Sequence, residues 1–177
     1  MIGGDSMSTE EKIKAVKDEY KSKLKLVKED LKRSKDILEY DYKKAKITDF
    51  SKEEFKGWLI KRQDSIYAGY IIEVISLTEQ ALKKIYKIIF DEKFKGSQKV
   101  IGSITEKINS ELNLVLDYGS IKDKIEKRNL LIHEEFTISK IKGTKESYAY
   151  VNEFIVFFKD TFKDYFKQIK RAYKSET

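Results

Sequence analysis

From Ile13 to Ala45 the chain keeps an apolar residue on one helical face without meeting a glycine or a proline. Ile13, Val16, Tyr20, Leu24, Val27, Leu31, Leu38, Tyr42 and Ala45 recur at three- and four-residue steps or their sum. That period is the one an α-helix needs to bury a stripe. Ser8-Thr9-Glu10-Glu11 ahead of it carries the Ser-x-x-Glu pattern of a capping box. The spacing therefore predicts a first helix from about residue 9 to about Lys46, roughly 55 Å long at ~1.5 Å per residue. A helix of that length projects from the domain, wraps around the core, or pairs with a second copy.

No proline occurs anywhere in the 177 residues, so the commonest helix breaker is missing from every later segment too. Thr48-Asp49-Phe50-Ser51 reads as a break, and Ser51 with Glu54 offers a second capping box. A second long helix follows through Trp58, Ile66, Tyr70, Val74, Leu77, Ala81, Ile85 and Ile89. Between Ile66 and Leu77 it is apolar around much of its girth, which predicts a central position in the core. A third helix is expected over about Lys99–Leu116, a fourth from near Ser120 to near Glu135, and a loop from Phe136 to Lys145. The last helix, about Glu146–Lys174, has a dense aromatic stripe that core packing explains. No strand pattern and no internal repeat appear. The expectation is an all-α bundle of about five helices, the first two long. Residues 1–8 are read as a disordered N-terminus and 9–177 as a single domain.

Composition excludes several chemistries. There is no cysteine, which removes disulfides, thiolate metal sites and cysteine nucleophiles. There is one histidine, and the second histidine of a His-Glu-x-x-His zinc motif would fall on Thr137. No phosphate loop, serine elbow or spaced calcium loop is present, so neither a metal nor a cofactor is expected. The start has no signal-peptide core, and the most apolar run is short and contains Glu73, which argues against a membrane span. A cytoplasmic location is expected. The formal net charge is +7, a balance that favours polyanionic partners such as RNA, although solvated lysine-rich helices produce the same number.

The one histidine lies in Arg128-Asn129-Leu130-Leu131-Ile132-His133. Histidine exchanges protons near neutral pH, and arginine presents a planar fork that suits phosphate. Asn129 and His133, four residues apart, share a helical face. Arg128 is rotated about 140° from His133 at ~100° per residue, a gap its long side chain can close. The apolar Leu130-Leu131-Ile132 should be buried, in the core or at an interface. These parts suit RNA cleavage by the 2′-OH: His133 as acid or base, Arg128 on the developing charge, and Asn129 as orienter. Lys122, Lys124 and Lys127 stand just upstream, where they can meet flanking phosphates or simply be solvated. One histidine per chain means that a site using two imidazoles must be built by two chains, through a homodimer that pairs the helices carrying Arg128 and His133. The bland alternative is that His133 answers the helix dipole and Arg128 pairs with Asp123, Glu134 or Glu135.

Arg128-Asn129-x-x-x-His133, in the fourth of about five helices, resembles the Arg-x(4–6)-His motif of the HEPN superfamily, helical domains found in many toxin and antiviral ribonucleases. The resemblance covers about Ser51–Lys174, with Glu73, Glu79 and the Ala81–Tyr86 stretch of the second helix in keeping. It implies a dimeric, metal-independent endoribonuclease, a toxin–antitoxin or antiviral-defence effector acting on tRNA or mRNA, with a possible antitoxin or defence-system partner protein. One branch has a tyrosine two residues after the histidine, where it can be modified; here Glu135 stands in that place. Other branches have lost catalysis, so a non-catalytic helical RNA- or protein-binding module is the alternative.

Overall fold

The computed structural model describes residues 7–44, 52–96, 99–133, 137–143 and 145–174. Five α-helices carry the chain: α1 Thr9–Lys44, α2 Lys52–Phe90, α3 Val100–Leu112, α4 Tyr118–His133 and α5 Ser147–Lys174. A single turn of 3-10 helix, Ile138–Lys140, stands between α4 and α5. No strand occurs among the described residues, and no helix is long and apolar enough to cross a membrane.

Each helix end has a local cause. Ser8 and Glu11 form the expected capping box: the Ser8 N–H donates to Glu11 Oε2 at 2.8 Å, and the Glu11 N–H donates to Ser8 Oγ at 3.2 Å. Ser51, the other expected cap, lies outside the described residues. α3 stops at Leu112 instead of reaching Leu116 because Asn113 takes a left-handed conformation, φ 49°, a common helix terminator for asparagine. α4 starts at Tyr118, two residues before the expected Ser120. Asp117 caps it, accepting from the Gly119 N–H at 3.1 Å and from Ser120 Oγ at 3.3 Å.

α2 runs through the centre and packs against every other helix, as its all-round apolar stretch requires. Tyr67, Ala68, Ile71, Val74, Ile75 and Thr78 are buried along it. α1 neither projects nor leaves the bundle. It lies along α2 and α5, with Ile13, Leu24 and Leu31 fully buried. The aromatic stripe of α5 closes the third side: Phe154, Phe158 and Phe162 stack in series, with centroids 4.8 and 5.9 Å apart.

Polar ties fix the register of these layers. The Tyr20 hydroxyl on α1 stands 2.9 Å from Thr78 Oγ1 on α2 and donates to the Phe158 carbonyl on α5 at 3.4 Å. One side chain thereby joins three helices inside the core. The Tyr165 hydroxyl donates to Asn109 Oδ1 at 2.8 Å and links α5 to α3. Gly102 on α3 allows α4 to approach, because a Cβ there would lie 2.7 Å from the Tyr118 hydroxyl. The turn after α4 is pinned by Ile138, fully buried, and reverses at Gly143, where φ is +63°.

Candidate functional site on α4

α4 is the most lightly held of the long elements. Only Ile121 and Leu131 on it are fully buried, and its main support is α2. The face of α4 opposite that support carries the candidate residues. Asn129 and His133 are both exposed, and their directions differ by about 40° at ~100° per residue. His133 is the last residue of the helix. An imidazolium there interacts favourably with the carbonyl end of the helix.

The apolar triplet divides. Leu131 is buried at 1% exposure, whereas Leu130 and Ile132 are 47% and 44% exposed. The triplet as a whole therefore does not belong to the core. The period of the helix dictates this: the three side chains leave about 100° apart, so one helix face can take only one of them. Leu130 and Ile132 flank the Asn129–His133 strip on either side. A polar pair framed by exposed aliphatic side chains is the arrangement found where protein surfaces meet.

Arg128 begins on the packed side of α4. Its Nε is buried and has no hydrogen-bond partner, yet its Nη1 donates to Asn129 Oδ1 at 3.1 Å. The side chain therefore bends round the helix toward the exposed strip. Asp123 is not its partner, being paired with Lys127 at 3.1 Å; Glu134 and Glu135 lie outside the described residues. Among the described residues, no side-chain hydrogen bond or ion pair joins His133 to Arg128 or Asn129. The structure thus brings Arg128 and Asn129 together, and places His133 one turn further on the same surface as Asn129.

The three upstream lysines take different directions. Lys122 is exposed beside Glu126 at 3.9 Å, and Lys127 bonds Asp123. Lys124 turns inward, with Nζ 5.5–6.0 Å from the ring centres of Tyr150, Phe154 and Phe157 on α5. Burial, and then the neighbouring Lys127 charge, lower its pKa. Sequence reasoning read the α5 stripe as core alone and missed this ammonium–ring cluster. The signal was available: Tyr150, Phe154 and Phe157 follow i, i+4, i+7 spacing, with a lysine-rich helix next to them in the chain. Among the described residues no group of histidine and carboxylate side chains could hold a metal ion. No protein-family model, curated protein or solved structure matches this chain.

Proposed function

We propose that this chain is a metal-independent endoribonuclease of HEPN type whose active site forms where two copies meet along α4. The observation that carries the reading is the exposed strip on α4. Asn129 and His133 point outward between half-exposed Leu130 and Ile132, and the Arg128 guanidinium is drawn to Asn129. A two-fold axis beside that strip would cover the leucine and isoleucine and face two Arg128–His133 pairs across one groove.

Two imidazoles supply what RNA cleavage needs. One His133 takes the proton of the 2′-OH as its oxygen bonds to phosphorus. The other gives a proton to the 5′-oxygen as the P–O5′ bond breaks. The products are a 2′,3′-cyclic phosphate and a free 5′-hydroxyl. Arg128 binds the non-bridging oxygens, where negative charge grows in the transition state, through its fork of donors. Asn129 holds that fork in place, and Lys122, Lys124 and Lys127 are the nearest cations for flanking phosphates, with Lys122 the most exposed of them. In this reading the protein is a toxin or antiphage effector acting on tRNA or mRNA, restrained by a partner protein.

The test is cleavage of a mixed RNA substrate in EDTA. His133→Ala and Arg128→Ala should each abolish cutting while leaving the helical circular-dichroism signal and Tm unchanged. Toxicity on expression should be relieved by His133→Ala. Cutting that persists in both variants overturns the reading. The second reading is a non-catalytic helical module that binds RNA or a partner protein. Its supporting observation is the half-buried origin of Arg128 with its unbonded Nε. Salt-sensitive RNA binding that yields no product would select it.

A further inference from the structure

A cavity of about 550 Å³ opens between the C-terminal half of α1, the N-terminal half of α2 and the segment from Ser139 to Tyr148. It is separate from the α4 strip, and nothing argued here depends on that strip. Its volume lies in the range that takes a small organic molecule. Leu38, Leu59 and Ile60 supply apolar wall, and Asp64 and Tyr67 reach it from the same helix.

Asp64 is the unusual member. It is 6% exposed, and among the described residues no hydrogen bond or ion pair reaches its carboxylate. On α2 it falls in the middle of the buried stripe made by Leu59, Tyr67, Ala68 and Ile71, where an aliphatic side chain would pack at no electrostatic cost. One turn further on, Tyr67 is fully buried, and its hydroxyl has no hydrogen-bond partner. Gln63 stands beside that hydroxyl without a well-formed bond to it. Two unsatisfied polar groups, both capable of accepting, thus lie three residues apart on one cavity wall.

The cations around the cavity do not answer Asp64. Lys35 is ion-paired with Glu39 at 3.5 Å and lies 4.8 Å above the Tyr148 ring. Lys142 Nζ donates to the Lys145 carbonyl at 2.7 Å. Lys56 is exposed. Two of the three lysines are already engaged, while the buried acid is free. That imbalance favours a cationic guest over an anionic one.

We propose that this cavity binds an amphipathic organic cation. Its ammonium or guanidinium group donates to the Asp64 carboxylate and the Tyr67 hydroxyl, and its apolar body lies against Leu38, Leu59 and Ile60. A hydrogen-bonded charge pair formed out of water is strong, and an orphaned buried carboxylate gains most from forming one.

Three probes of one shape and different charge test this on the full chain by titration calorimetry: phenylbutylamine, phenylbutanol and phenylbutyrate. The amine should bind at least about tenfold more tightly than the alcohol, the ratio expected for a charge-assisted hydrogen bond. Asp64→Asn should remove that preference without lowering Tm, since it removes an unpaired buried charge. In the wild-type protein, amide shifts at Leu59–Tyr67 and Ser147–Tyr148 should move with the amine and hardly at all with the alcohol, a readout that needs no variant. Equal affinity for amine and alcohol, tightest binding of the carboxylate, or undiminished amine binding by Asp64→Asn would each overturn the proposal.

Discussion

Arg128 Nη1 donates to Asn129 Oδ1 at 3.1 Å, although the two side chains leave α4 about 100° apart. The bond turns an arginine that starts against the core toward the surface shared by Asn129 and His133. Asn129 thereby acts on Arg128, and the role expected for it from the sequence, orienting the histidine, has no contact behind it among the described residues. If α4 cleaves RNA, Asn129→Ala should lower the rate about tenfold, less than Arg128→Ala. Arg128→Lys should not restore activity, because a lysine cannot make the planar two-point contact. Single-turnover cleavage of a short RNA measures both; full activity in Arg128→Lys would refute the clamp.

Leu130 and Ile132 are the large aliphatic side chains of α4 left to solvent, at 47% and 44% exposure. Leu130→Asp combined with Ile132→Asp should convert a dimer to a monomer in sedimentation experiments. Because neither side chain is core, Tm should stay within the small range of surface changes, about 0.5 kcal/mol in stability. Cleavage should fall with dimerisation and return at high protein concentration. An unchanged mass with unchanged activity would place the interface elsewhere.

Tyr20 bonds to Thr78 and to the Phe158 carbonyl at the meeting of α1, α2 and α5. Tyr20→Phe keeps the ring against Phe162 and Phe166 and removes only the hydroxyl. Thr78 still donates to the Val74 carbonyl at 2.8 Å, so the expected loss is about 1 kcal/mol. Phe158→Ala empties the centre of the stacked series on α5 and should cost roughly 3–5 kcal/mol. Urea unfolding reads both, and similar losses for the two would mean that the polar tie outweighs its geometry.

Glu19 on α1 receives Lys23 from its own helix and Lys84 from α2, at 2.8 and 2.6 Å. These hydrogen bonds hold its carboxyl down at about 2. A carboxyl whose folded pKa is depressed contributes stability above its ordinary pKa, and loses it as pH falls toward the folded value. Glu19→Gln should therefore be less stable than wild type at neutral pH. The difference should close between about pH 4.5 and about pH 2. The site is solvent-exposed, so the gap at neutral pH should not exceed about 1 kcal/mol. Thermal melts of the two proteins across that range decide it; a gap that persists at the acid end would rule out the ion pair as its source.

The existence and order of the helices were legible because each depends on neighbours in the chain. The Ser8–Glu11 cap, the α1 stripe and the all-round apolar stretch of α2 are local patterns, and the structure realises all three. Helix ends were less legible. Asn113 stops α3 early by taking a left-handed conformation, and Asp117 starts α4 early by bonding Gly119 and Ser120. Both are single-residue choices that apolar spacing does not encode.

The sequence by itself determined an all-helical chain and singled out Arg128, Asn129 and His133 by elimination of other chemistry. Spacing on one helix also sufficed to put Asn129 and His133 on a common face. What only the tertiary structure decided is which face of each helix meets which neighbour. That choice exposed Leu130 and Ile132 beside His133, turned Lys124 into the rings of α5, and left Asp64 inside a cavity with no partner. The physical reason is the range of the forces involved. Helical periodicity is a property of consecutive residues, whereas burial and pairing depend on side chains brought together from distant positions, such as Lys124 with Phe157 or Asp64 with Leu38.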